Sequence, residues 1–432
     1  MPKLITRLAA GAALLALAGA APIATWAAPA PRPAGVSAQA MAIHQSMIVL
    51  DSHLDIPAAF GRPGYSIMDR HDVKGDGSQV DYPRMVDGGL DGGFFAVYTG
   101  SLPTTPEGRA LSRDQALVRA TEIHEMVARN HDHFEFAYTP QDAPRIARTG
   151  KRIVYMSMEN SQPEASDLTL MNTFYKLGVR LMSPIHFANN ELGDSATDPG
   201  GPKFHGLSDL GKQWVAEGNR LGVLLDASHS SDEVLDQMIA LSKTPILLSH
   251  SGLKAIYNHP RNIDDDRLRA LAKSGGVIQI NAYSAYMIAP APPNPERAAA
   301  VAAVNAKYGP QNARTDAQRA AARKEMQAIE ARWPTPRATF EDFTKHLDHA
   351  IEVAGIDHVG VGADFDGGGG LIGFEDARDY PKITAHLLAK GYSQADIQKV
   401  WSGNVLRLLG LAQAGRDKTL VAEIDDGHVH GE

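Results

Sequence analysis

Seven residues able to bind a metal or carry a proton stand where short apolar runs end. His53 and Asp55 follow Met47-Ile48-Val49-Leu50-Asp51-Ser52, and Glu159 closes Val154-Tyr155-Met156-Ser157-Met158. His186 ends Leu181-Met182-Ser183-Pro184-Ile185, His229 ends Leu224-Leu225-Asp226-Ala227-Ser228, and His250 ends Ile246-Leu247-Leu248-Ser249. Asp364 follows Gly360-Val361-Gly362-Ala363. Imidazole and carboxylate are the hard-to-borderline donors that hold zinc and similar divalent ions. The chain has no cysteine, so any such site is built from His, Asp and Glu alone. A thiol nucleophile and thiolate ligation are excluded.

Spacing assigns parts to these residues. In a strand, positions two apart point to one side, so His53 and Asp55 can reach a single ion. A carboxylate ending an apolar run needs a positive partner. Glu159 can supply one oxygen to each of two cations, so it is expected to bridge. The repeated Ser-His endings at His229 and His250 suit nitrogen ligands for a second ion. Asp364 is then free to act as acid and base on a metal-activated water, with Asp366 supporting the turn. His186 either donates a hydrogen bond to a developing oxyanion or is structural. His131 and His133 form an HxH in the loop after a helical stretch, away from any strand end, and are not expected to ligate.

These groups need a scaffold that brings strand ends together. Eight β-rich runs are expected: 47–50, 93–98, 153–158, 179–184, 223–226, 246–248, 277–280 and 359–362. Amphipathic stretches lie between them, at 113–129, 209–220, 232–242, 265–273 and 343–354. Alternating strands and helices imply parallel pairing through right-handed crossovers. Eight such units predict an α/β fold of the (β/α)8 TIM-barrel type, as in metal-dependent hydrolases, spanning 41–415. The strand C-termini then converge on one face, where barrel chemistry takes place. Gly61–Gly93 is expected to be a long loop after the first strand. A Pro-rich, then Ala/Arg/Glu-rich helical insertion at 290–336 follows the seventh strand, as either a solvated hairpin or a lid.

Of the 432 residues, 44% are hydrophobic and 21% charged, enough for a large core; the formal charge is −8 and the pI near 6.1. That balance gives no electrostatic case for nucleic acid. Lys3, Arg7, the apolar run from Leu8 to about Ala21 and small residues around Ala27 read as an export signal over 1–27. A Pro/Ala-rich spacer (28–40) and a polar tail (416–432) flank the barrel. The expected product is a periplasmic or secreted enzyme with no membrane anchor once the signal is removed.

At these motifs the chain resembles the membrane (renal) dipeptidase family of two-zinc peptidases. The matching pieces are Leu50-Asp51-Ser52-His53-Leu54-Asp55-Ile56-Pro57, Glu159, Arg180–His186 with Asn189, Asn219–His229, Ser249-His250-Ser251, Arg261–Asp265 and Gly362–Gly367. The resemblance implies two Zn2+ per subunit, with His53 and Asp55 on one, His229 and His250 on the other and Glu159 bridging. It implies Asp364 as proton shuttle, His186 beside the scissile carbonyl, and Arg261 on the dipeptide's C-terminal carboxylate. A homodimer is also implied. The chain departs from the animal members in lacking cysteines and a lipid-anchor signal, in Asn190–Asp194, and in the 290–336 insertion.

Two other readings are weighed against a dipeptidase. Another two-metal amidohydrolase-type barrel (a lactonase, phosphotriesterase or deaminase) often bridges its metals with a modified Lys at the fourth strand end, where this chain has His186. A catalytically dead exported binding protein would have no need of the full ligand set.

Overall fold

The structure, a computed structural model, describes residues 31–309 and 314–417. The signal at 1–27, the first three residues of the spacer (28–30) and the tail from 418 lie outside the described residues. The described residues form ten strands: β1 (Leu50–Leu54), β2 (Gly92–Tyr98), β3 (Phe134–Phe136), β4 (Arg152–Glu159), β5 (Val179–Met182), β6 (Leu224–Leu225), β7 (Leu247–Leu253), β8 (Asn262–Ile263), β9 (Val277–Ile280) and β10 (Val359–Val361). All pairings are parallel.

One curled sheet runs β1-β2-β4-β5-β6 and a second runs β10-β9-β7. Single bridges join them at both margins, Asp226 to Leu247 and Leu54 to Phe365. Eight strands thus follow one another around a TIM-type barrel. The two extra strands are short additions: β3 pairs with the start of β4 and β8 with the end of β7.

The first strand begins at Leu50, three residues later than the apolar run 47–50 suggests, so His53 lies inside it. The polar residues Asp51, Ser52 and His53 mask the strand, yet all three are buried within the barrel. Gly61–Gly93 is mostly loop as expected, but it contains the helix Tyr82–Gly88, capped by Asp81. The helix Ala38–Gln45 begins within the stretch assigned to the spacer. Ser37 accepts the Ala40 N–H at its start, and Val36, Ala40 and Met41 pack toward Ala385 and Leu388.

One end of the barrel interior is apolar. Leu50, Phe94, Ile153, Tyr155, Leu181, Leu224, Leu247 and Val277 form a cluster with Val405, Leu408 and Leu409 of the helix Asn404–Ala414. Burying that interior against a helix fixes the strand N-termini and leaves the C-terminal rim for polar groups. The 290–336 insertion contains the helices Pro295–Tyr308 and Asp316–Arg332, which share a small core of Val304, Ala322 and Ile329. Among the described residues, no helix is long and apolar enough to cross a membrane.

Candidate active site

All eight residues singled out from the sequence, Arg261 included, lie at the C-terminal rim and are at most 9% exposed. His53 reaches the centre from β1 and Asp55 from just beyond it. Glu159 is the last residue of β4, and His186 and His229 follow β5 and β6. His250 sits within β7, and Asp364 follows β10.

Glu159 is the hub. Its Oε1 lies 3.1 Å from His229 Nε2 and 3.5 Å from His250 Nε2, while Oε2 lies 3.5 Å from His53 Nε2. His53 Nε2 is also 3.3 Å from Asp55 Oδ2. Three groupings place their donor atoms within 4.8 Å of one another: His53/Glu159/His250, Glu159/His186/His229 and His53/Asp55/Asp364. The residues fit two divalent cations in chemistry and count. His53 Nε2 is buried without a hydrogen-bond partner. His229 and His250 aim Nε2 at Nε2 across 2.8 Å. Buried imidazoles seldom leave an atom such as His53 Nε2 unused, and two ring nitrogens converging beside a carboxylate oxygen suit a cation.

The electrostatics agree with that donor set. Burial is the largest influence on His229 and His250 and holds both well below the ordinary imidazole pKa, hence neutral and able to ligate. Burial opposes ionisation of Glu159, but His53, His186 and the His229 hydrogen bond hold its carboxyl well below the usual range. Asp364 goes the other way. Burial, with repulsion from Asp55 and Glu159, lifts it well above an ordinary aspartate, against the pull of His53 and Arg261. Two carboxyl groups with opposite displacements in one site are the pattern expected where a fixed anion stands beside a proton carrier.

The backbone is bent to achieve this. Among the described residues, five non-glycine positions have left-handed φ, and four lie on this rim: Asn160 (70°), His229 (68°), Asp364 (59°) and Asp366 (68°). Such conformations cost about 1–3 kcal/mol each and concentrate at functional sites. Asp364 turns sharply, its carbonyl accepting the N–H groups of Gly369 (2.7 Å) and Gly367 (3.2 Å). A Cβ at Gly367 would overlap Asp55 Oδ2 and Asp364 Oδ1, so any larger residue there would have to displace these carboxylates.

Arg261 is anchored by two of its nitrogens. Nη1 donates to Ser251 Oγ (3.2 Å) and Nη2 to the His250 carbonyl (3.0 Å), leaving Nε buried without a partner. His186 packs between Tyr98 and His229, with ring centroids 4.9 and 4.2 Å away, and lies against Phe187 at 3.9 Å. Phe187 itself is half exposed.

Several supporting residues escaped the sequence reading. His250 Nδ1 lies 2.9 Å from Ser249 Oγ, which donates to Asp226 Oδ2 at 2.5 Å. Asp226 also accepts the Ser228 and Ser249 N–H groups, both at 2.9 Å. Asp51 does the same for the first ligand pair: it accepts from His53 N (2.8 Å), Ala363 N (2.8 Å) and Tyr380 Oη (2.6 Å). Burial pushes its carboxyl up to about 6, against the Tyr380 bond. The signal was available: Asp51 and Asp226 interrupt the runs that end at the candidate ligands His53 and His229.

The sequence profile of the membrane dipeptidase family (peptidase family M19) matches residues 37–422. The chain belongs to that family. A dipeptidase tcpJ of Claviceps purpurea is 28% identical over 361 residues, covering 80% of this chain and 73% of the relative. Among solved structures, the probable dipeptidase PvdM from Pseudomonas aeruginosa superposes with a TM-score of 0.74 at 30% identity, covering 87% of this chain and 98% of that one. The dipeptidase AC, a metallopeptidase of the same M19 family, gives a TM-score of 0.67 at 27% identity, covering 85% and 99%. Membership in the M19 dipeptidases supports a peptide hydrolase with a metal cofactor and a dipeptide as its small-molecule substrate.

Proposed function

We propose that the protein is a zinc-dependent dipeptidase that cleaves the amide bond of dipeptides carrying a free C-terminal carboxylate. The observation that carries this reading is Glu159, whose two oxygens face different histidine sets. His53, Asp55 and Glu159 would hold one cation, and Glu159, His229 and His250 the other. When bound, such a pair lowers the pKa of a water between the ions and polarises the scissile carbonyl.

The chain's own residues do the rest. Asp364 accepts the attacking water's proton and returns it to the leaving amine. Its raised proton affinity suits both halves of that task. His186, kept below the ordinary imidazole pKa chiefly by burial, offers a neutral N–H to the developing oxyanion. Arg261 presents its unpartnered Nε to the substrate carboxylate, a planar guanidinium suited to a planar anion. Export to the periplasm or exterior with loss of 1–27, and a homodimer, belong to the same reading.

The test is metal analysis of the mature protein together with turnover of a small dipeptide panel. The reading expects two zinc ions per subunit and hydrolysis of free dipeptides, with C-terminally amidated versions much poorer. Two bound ions with no dipeptide cleaved would overturn it, and turnover of lactones or phosphotriesters instead would favour the wider amidohydrolase class.

A further inference from the structure

The insertion at 290–336 has no part in the site as described, yet it is tied to it by a short chain of hydrogen bonds. Arg323, on the helix Asp316–Arg332, donates from Nη2 to the Asp76 carbonyl (2.7 Å) and from Nη1 to the Val73 carbonyl (3.2 Å). Gln327, one turn on, donates to the Lys74 carbonyl at 2.7 Å. Gly77 has φ +87°, and a Cβ there would overlap the guanidinium. The loop is shaped around Arg323.

Two residues past Gly77, the same loop grips the turn that carries Asp364. The Gln79 N–H donates to Asp366 Oδ1 (2.9 Å), and its side-chain Oε1 accepts the Asp366 N–H (2.8 Å). Its Nε2 donates to the carbonyls of Gly369 (2.9 Å) and Glu375 (2.8 Å). Val80 N adds a bond to Asp366 Oδ2 at 3.1 Å. Gly369 in turn closes on the Asp364 carbonyl. A left-handed residue such as Asp364 persists only where its surroundings over-determine it, and Gln79 supplies much of that constraint.

We propose that Gln79 is a positioning residue for Asp364, and that the insertion helix braces Gln79 through Arg323 and Gln327. The insertion is thus neither an idle hairpin nor a swinging lid, but a fixed support for the proton-transfer turn. This rests on the reading of Asp364 as the acid and base, and the experiment separates the two.

The variants are Gln79→Ala, the pair Arg323→Ala/Gln327→Ala, Arg323→Lys, and Lys324→Ala as a control on the exposed helix surface. Each is compared as the full, zinc-loaded protein for kcat, KM, metal content, melting temperature and amide hydrogen exchange at 72–81 and 364–369. Gln79→Ala and the double variant are expected to lose on the order of tenfold or more in kcat, as small misplacements do. KM and metal content stay within about twofold, and exchange quickens in both segments. Arg323→Lys keeps a cation but not the two-pronged grip and falls between. Unchanged kcat, or a loss that follows metal content, overturns the proposal. If the wild type cleaves no dipeptide, the functional reading fails instead. The brace then stands or falls on exchange alone, and unaltered protection at 364–369 in Gln79→Ala refutes it.

Discussion

The Nε2 atoms of His229, just past β6, and His250, within β7, stand 2.8 Å apart. Behind the pair the two differ: the His250 ring is held through Ser249 to the buried Asp226, whereas His229 Nδ1 is buried without a hydrogen-bond partner among the described residues. Partners behind a ligating histidine fix its tautomer and raise its basicity, and their loss typically costs 10–100-fold in metal affinity. Ser249→Ala is therefore expected to weaken binding of one cation by about that factor. Titration against a chromophoric chelator should show one weakened site and one unchanged. Two equally weakened sites would contradict the assignment.

Asp364→Asn removes the proton carrier while preserving size and the turn. Metal content should hold, and turnover should fall by about 10²–10⁴, the usual contribution of a positioned acid–base group. Residual activity within a few-fold of wild type would remove Asp364 from the reaction.

Gly367 lies where a Cβ would overlap the carboxylates of Asp55 and Asp364 together. Its φ is not in the left-handed region, so Gly367→Ala acts by crowding rather than by backbone strain. The expected result is a folded protein with near-normal melting but poor metal retention and little turnover. Full activity in this variant would show that one of the two side chains can move aside at little cost.

Glu164 is wholly buried, accepts a bond from Trp214 Nε1 at 2.8 Å, and has its carboxyl raised by burial to about 8. Its folded pKa thus lies above the ordinary 4.5, so the native state holds a proton that the unfolded chain releases. The stability it contributes is whole below about pH 4.5 and is lost progressively as pH rises toward 8. Over that window the slope from this one group is about −1.4 kcal/mol per pH unit. Glu164→Gln keeps the acceptor and removes the ionisation. Denaturant midpoints measured from pH 5 to 8 should fall less steeply in the variant. Parallel curves would show that Glu164 stays ionised in the fold.

Much of the site was legible because its residues interrupt apolar runs, and such interruptions are visible in one dimension. His53, Asp55, Glu159, His186, His229, His250 and Asp364 all stood out this way, and the barrel followed from the recurrence of the runs. Arg261 came only through the family resemblance, since it ends no apolar run. What stayed hidden depends on partners far apart in the chain. Tyr380 reaches Asp51 across 329 positions, and Gln79 reaches Asp366 across 287. No local pattern announces such pairs. The start of β1 was misjudged for a related reason: its polar residues are buried on partners that only the closed barrel provides.

That closure rests on two single bridges, Asp226 to Leu247 and Leu54 to Phe365. Two candidate ligands, His229 and His250, flank the first joint from opposite sides, while at the second Asp55 faces Asp364, the proposed proton carrier. A cation held by His229 and His250 would act as a clasp on a hoop made of two staves, cross-linking at the first joint half-barrels that share little backbone bonding. Catalytic competence and circular integrity would then depend on the same few atoms, and stripping the ions would loosen the ring itself as well as silence the reaction.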